Sequence, residues 1–173
     1  MMGGLGEVAP GIFRIESRLG PRPFAQYLLR GARALLVDTG VVETPGEAIF
    51  PALRRLALDP AALDFVLISH ADVDHFGGNA ALRAAAPGAI FCAHAADAPW
   101  IEDRGRILRE RYGWYAAEGI DYPPDVAAWL RDAGGAPVPL DLHLTGGERI
   151  RLGPDLAVEV LHLPGHTPGH LGL

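Results

Sequence analysis

An α/β sandwich is the fold this sequence predicts, on three observations. Short apolar runs bounded by Gly, Pro and Asp recur through the first half of the chain, the pattern of buried strands. Stretches with helical spacing of apolar residues alternate with the later runs. And 173 residues at 49% hydrophobic composition suffice for one compact domain with a core of its own.

In chain order, residues 12–15, 26–29 and 34–37 read as the first strands. Residues 47–58 read as a helix, because Ile49, Leu53, Leu56 and Ala57 recur on one face. Strands at 65–68 and 89–92 follow, separated by a helix at 79–86 that comes after Gly77-Gly78 and stops before Pro87-Gly88. From 95 to 140 the texture changes to an aromatic-rich helical insertion. One helix there is capped by Asp97, and a second, opening at Pro123-Pro124, is stopped by Gly134. Trp100, Trp114, Trp129, Tyr112, Tyr115 and Tyr122 all fall in this insertion. Such side chains suit either packing of the excursion onto the domain or a cover over a substrate. Arg104, Arg106, Arg109 and Arg111 are interspersed with Glu102, Asp103 and Glu110, which predicts a solvated face. The runs E-R-I-R-L and L-A-V-E-V-L around Gly153-Pro154-Asp155 predict a hairpin, and it leads straight into L-P-G-H-T-P-G-H.

The net charge of −6 argues against nucleic acid as a partner, since recognition of phosphates needs a basic face. No stretch reaches the length needed to span a bilayer, and the first ten residues lack a basic start followed by an apolar core. A cytoplasmic protein with no membrane partner is expected. Cys92, the single cysteine, sits in an apolar run and reads as a buried structural thiol.

The segment S-H-A-D-V-D-H-F-G-G-N, residues 69–79, packs His70, Asp72, Asp74 and His75 into six positions. Aspartates before a helix can be simple N-caps. By composition, however, H-x-D-x-D-H arises by chance in roughly one such chain in a thousand. A loop leaving a strand end can aim several short ligands at one point, and imidazole with carboxylate suits Zn(II), Fe(II) or Mn(II). A second candidate is His166, held in P-G-H-T-P-G-H by Pro164, Gly165 and Pro168.

With L-L-V-D-T-G at 35–40, these segments resemble the metallo-β-lactamase superfamily, whose pattern is H-x-H-x-D-H followed much later by a Gly-His-Thr-Pro-Gly-type loop. The resemblance implies a metallo-β-lactamase-like αββα sandwich with one or two metal ions, zinc or, as an alternative, iron, along the open edge of two sheets. By matching position it implies that His70, Asp72 and His166 hold the first metal and that Asp74 and His75 belong to the second. It also implies that Asp38 orients a ligand histidine through its other ring nitrogen, as metal-bound histidines need. His170, His94, His143 and His162 are read as non-ligands. The implied activity is metal-dependent hydrolysis: a metal-bound hydroxide attacks an ester, thioester, lactone or amide carbonyl of a small molecule, and Asp74 acts as the catalytic residue that positions the nucleophile or relays its proton.

Two departures from the family pattern bear on this. Asp72 stands where the family has its second histidine, so an anion replaces a neutral ligand and the donor set approaches that of non-haem iron sites. Flavodiiron proteins have an acidic residue there as well, which opens an alternative: a di-iron protein binding or reducing dioxygen or nitric oxide. The family also has a bridging acidic residue and a last histidine further on, and no residues follow Leu173 to supply them. The expectation is an N-terminal portion of a longer chain, with the second half of the sandwich incomplete. A non-catalytic module with an incomplete metal site is the third reading.

Overall fold

The computed structural model describes residues 4–173; residues 1–3, part of the N-terminal stretch considered above, lie outside the described residues. Seven strands form one sheet in sequential order: β1 (Leu5–Ala9), β2 (Ile12–Leu19), β3 (Arg22–Arg30), β4 (Ala34–Val37), β5 (Phe65–Leu67), β6 (Ile90–His94) and β7 (Leu142–Leu144). β1 to β4 are antiparallel, and β4 to β7 run parallel. The change of sense follows from connection length, since a tight turn can only reverse the chain whereas parallel neighbours need a crossover. The turn between β1 and β2 uses Gly11 at φ 74°, where an added Cβ would press on the Arg30 carbonyl at 2.7 Å.

Alternation along the central strands sends successive side chains to opposite faces. Leu36, Val66 and Phe91 face a large core with Ile49, Leu53, Leu82, Ile101 and Ile107. Leu35, Leu67 and Cys92 face a smaller one with Leu152, Val160 and Leu171. Each fully buried side chain of this kind contributes about 1.5–3 kcal/mol relative to exposure. Cys92 is buried here, and burial pushes its thiol up to about 12.

On the large-core face lie α1 (Phe50–Arg55), preceded by a wider helical turn at Pro45–Ile49, then α2 (Val73–Phe76) and α3 (Asn79–Ala85). The helix expected over 47–58 ends early. Ala57 turns to φ 49°, and Leu58 N–H bonds back to the Leu53 carbonyl. The helix expected to begin after Gly77-Gly78 has α2 ahead of it. Gly77 lets this join pass the backbone of the insertion, because a Cβ there would collide with the Ala133 carbonyl. The insertion forms α4 (Ala98–Glu102), α5 (Arg104–Ile107) running into a wider turn at Leu108–Tyr112, and α6 (Pro124–Ala133). Leu130 and Ala133 of α6 share the large core with Val73 and Phe76.

The other face carries two short antiparallel pairs, β8 (Arg149–Arg151) with β9 (Ala157–Glu159), and β10 (Leu161–His162) with β11 (Leu171–Gly172). The first is the hairpin expected around Gly153. An open apolar groove of about 550 Å³, lined by Ile12, Leu29, Val37, Leu67, Val158 and Leu171, lies between these pairs and the large sheet. Among the described residues, no helix is long and apolar enough to cross a membrane.

Candidate metal centre

β4 and β5 end side by side, and the loops leaving them carry the acidic and imidazole groups. The chain leaves β4 at Asp38, whose φ of 64° lies in the left-handed region that Asp tolerates better than most residues. Its Oδ1 accepts the Ser69 N–H at 2.7 Å, and its Oδ2 accepts the Ser69 hydroxyl at 2.8 Å. His75 Nδ1 lies 2.8 Å from the same Oδ2 and donates to it. That bond fixes the His75 tautomer and turns Nε2 towards Asp74, whose Oδ2 is 3.8 Å away. The Ser69 oxygen, having given its proton to Asp38, can accept from His70 Nδ1 at 3.0 Å. His70 is then left with a lone pair on Nε2.

A second carboxylate joins two distant loops. Asp97 is fully buried; its Oδ2 accepts the Ala71 N–H at 2.9 Å and the Thr167 hydroxyl at 2.6 Å, and its Oδ1 accepts the Gly169 N–H at 2.7 Å. The residue does sit at the N-cap position of α4, but its side chain makes no capping bond. The expected cap is therefore corrected: the carboxylate is spent on the loops, not on the helix.

The loop between β10 and β11 thereby brings His166 to the 69–75 loop. His70, Asp72 and His166 offer ligand atoms that all lie within 4.8 Å of one another, and they are the one such group of three among the described residues. Asp72 Oδ2 is 2.8 Å from His166 Nε2 and 3.6 Å from His70 Nε2. Ligands of a tetrahedral zinc stand about 3.4 Å apart, given bonds near 2.1 Å, so these spacings bracket the requirement. The donor chemistry fits as well, with two imidazole nitrogens and a carboxylate converging and His70 presenting its lone pair inward. Asp74 and His75 stand beside this group as a pair, with the His75 ring 3.8 Å from that of His70.

Asp72 also has partners that sequence reading placed elsewhere. Arg111 Nε and Nη2 donate to its Oδ1 and Oδ2 at 3.0 and 3.1 Å, and the Tyr112 hydroxyl lies 3.3 Å from Oδ1. The solvated face expected for the insertion's arginines holds for Arg106, paired with Glu110 at the surface, and is corrected for Arg111, which turns inward. Burial alone would raise the Asp72 carboxyl, but the neighbouring His70 imidazole and the bonds from the Arg111 guanidinium carry it well below the usual carboxylate range. Burial raises Tyr112, and the neighbouring Asp72 charge adds to this. Burial would likewise lower His75, yet the Asp38 bond prevails and raises it.

Of the histidines read as non-ligands, His94 and His162 stack on each other at 4.1 Å and His143 faces Glu102 at 3.8 Å. His170 lies closer, stacked on His70 at 4.6 Å and outside the three-donor group. Burial lowers its pKa, as do the neighbouring His70 and His166. The donors open into a cavity of about 660 Å³ walled by Arg22, Tyr115, Ile120, Tyr122 and Trp129.

Residues 19–173 match the family model of the metallo-beta-lactamase superfamily. The chain belongs to that superfamily. As a superfamily member it is 31% identical over 134 residues to a hydroxyacylglutathione hydrolase of Cereibacter sphaeroides, covering 78% of this chain and 37% of that one. It is 35% identical over 74 residues to an anaerobic nitric oxide reductase flavorubredoxin of Aeromonas hydrophila, covering 42% of this chain and 14% of the relative. A class B3 di-zinc metallo-beta-lactamase from an Alaskan soil metagenome superposes with a TM-score of 0.71 at 23% identity, over 96% of this chain and 55% of that structure. The chain thus spans well under two thirds of the length of these relatives, and the shared superfamily fold is the αββα sandwich, here with about half of the relative's length.

Proposed function

We propose that this protein is a metal-dependent hydrolase of small molecules carrying an ester, thioester, lactone or amide bond. The convergence of His70, Asp72 and His166 carries the proposal, and the hydroxyacylglutathione hydrolase and di-zinc lactamase among its relatives support zinc as the ion. In this reading those three residues hold a first zinc, while Asp74 and His75 contribute to a second. Zinc, when bound, supplies Lewis acidity towards a carbonyl and favours ionisation of water at neutral pH. The chain supplies the rest. Asp38 and Ser69 fix the ring orientations of His75 and His70. Asp74, a partly exposed carboxylate lining the cavity, orients the attacking water or relays its proton. Tyr115, Ile120, Tyr122 and Trp129 offer an apolar wall to the acyl or leaving group.

Metal analysis of protein purified without added metal, followed by a panel of thioesters, lactones and esters before and after zinc loading, tests this. Hydrolysis that follows zinc content and disappears in His166→Ala is expected. Stoichiometric zinc with no turnover across the panel would reject the hydrolase and favour a non-catalytic module.

A second reading, a non-haem di-iron protein, is favoured by the carboxylate at position 72 and by the similarity to the flavorubredoxin. The same metal analysis separates the two, since iron in place of zinc, with nitric oxide binding seen by absorbance, is expected only of the di-iron protein.

A further inference from the structure

Asp72 puts a full negative charge where a neutral donor would leave none, and the structure places a full positive charge directly behind it. Arg111 grips the carboxylate with both arms of the guanidinium fork, 3.0 and 3.1 Å from the two oxygens, the geometry in which an arginine–carboxylate pair is strongest. The pair is sheltered, with side chains 25% and 15% exposed, so water screens it less than a surface pair. Its position is enforced. Arg111 is the penultimate residue of the wide turn Leu108–Tyr112, and the Tyr112 hydroxyl next to it accepts the Val73 N–H at 3.0 Å while reaching Asp72 Oδ1. Residues 111 and 112 are thus buckled to 72 and 73, which start α2. The remaining arginines of the insertion, by contrast, make no contact with the donor cluster in the hydrogen bonds described above.

We propose that Arg111 is a positioning residue that compensates the charge of Asp72, so that the Asp72–Arg111 pair acts towards a metal ion as one neutral, oriented donor in place of a histidine. This role presupposes that Asp72 is a zinc ligand, as proposed above. Two consequences follow. The identity of residue 72 and that of residue 111 are linked, because either charge without the other changes the field at the ion by a full unit. The insertion is also part of the metal centre, since it delivers the compensating charge to the donor cluster.

The test is zinc affinity, measured by competition with a chromophoric chelator at fixed pH in the parent, Asp72→His, Arg111→Met and the Asp72→His/Arg111→Met double variant, with apoprotein melting temperatures as the control for folding. In Asp72→His an unpaired guanidinium faces the ion without the carboxylate, and affinity is expected to fall by on the order of tenfold or more. Adding Arg111→Met to that variant removes the repulsion and is expected to restore most of the loss. A purely structural Arg111 would make the double variant worse than Asp72→His, so a double variant binding zinc no better than Asp72→His overturns the proposal. A parent that binds no zinc overturns it together with the zinc assignment. If Arg111→Met leaves zinc affinity unchanged and alters only KM, Arg111 is a substrate anchor and the compensating role is likewise rejected.

Discussion

The two loops that carry the donors are held in different ways. In the 69–75 loop His70 is buried and three of the four candidate donors have a partner from the scaffold: Asp38 for His75, Ser69 for His70, and Arg111 with Tyr112 for Asp72. In the 163–170 loop His166 is exposed, its side chain 56% accessible, and the residues that fix it are its neighbours. Thr167 and Gly169 are buried on Asp97, and Leu171 N–H bonds to the Ser69 carbonyl. The first loop is therefore ordered by contacts to the ligand side chains, the second by contacts to backbone and side chains between them. A donor can be placed accurately from the backbone alone when the loop around it is short and rigid. Pro164 and Pro168 supply that rigidity by fixing φ on either side of His166.

Asp97 is where the two modes meet, so its loss is expected to have the largest effect. Asp97→Ala leaves the Ala71 and Gly169 N–H groups and the Thr167 hydroxyl buried without their acceptor. Each such orphan costs about 1–3 kcal/mol, so a destabilisation of about 3 kcal/mol or more is expected in urea unfolding, with loss of zinc binding. Retention of both stability and zinc would show that the loops are held independently and would dissolve the comparison.

The next effect separates the loops. His70→Ala and His166→Ala should each abolish most zinc binding. In the apoprotein they should differ: loss of the buried His70 leaves a hole and a Ser69 oxygen without its donor, with a cost of about 1–3 kcal/mol, whereas the exposed His166 should change stability by less than about 0.5 kcal/mol. Chelator-treated protein melted by calorimetry gives the two values. Equal losses would mean that the second loop is braced through His166 itself.

What was legible in the sequence follows the same division. The strand runs at 12–15, 26–29, 34–37, 65–68 and 89–92 fall on β2 to β6, because a buried strand announces itself in its own residues. β7 did not announce itself: L-H-L is short and carries an exposed Leu142 and His143, and it pairs only because β6 lies beside it. His70, Asp72, Asp74 and His75 stood out in the sequence because they are close together and form a motif, and His166 stood out through its own Pro- and Gly-framed loop. Asp97 and Arg111 were not, as their partners lie 26, 39, 70 and 72 positions away and nothing local distinguishes them from a cap or a solvated arginine. Contacts that depend on tertiary approach leave no periodic signal.

A smaller effect is expected for Asp38→Asn, which keeps an acceptor for Ser69 but removes the charge that holds His75 Nδ1–H. Loss of a charge-assisted bond of this kind costs about 1.5–3 kcal/mol, some of which Asn retains. If Asp38 acts only on the first loop, the variant should weaken the second zinc of the proposed assignment, to which His75 would contribute, more than the first. Stepwise zinc titration monitored by calorimetry reads the two affinities separately, and an equal drop in both would place Asp38 in the support of the whole centre.

Thr167→Val is the mildest of the four and probes the second loop alone. Thr167 is buried, and its hydroxyl donates to Asp97 Oδ2 at 2.6 Å. Valine has nearly the same shape, so the substitution removes that bond with little change in packing. Asp97 does not become an orphan, because Oδ2 keeps the Ala71 N–H and Oδ1 keeps the Gly169 N–H. The expected loss is about 1.5 kcal/mol in apoprotein stability, the lower end for a bond to a charged group. Zinc affinity should fall by less than tenfold, since Gly169 N–H still ties the loop to Asp97 and Leu171 N–H still ties its end to Ser69. Urea unfolding and chelator competition on the same preparation give both numbers. A loss as large as that of Asp97→Ala would mean that the hydroxyl, not the backbone, suspends His166, and the second loop would then be held by side chains just as the first one is.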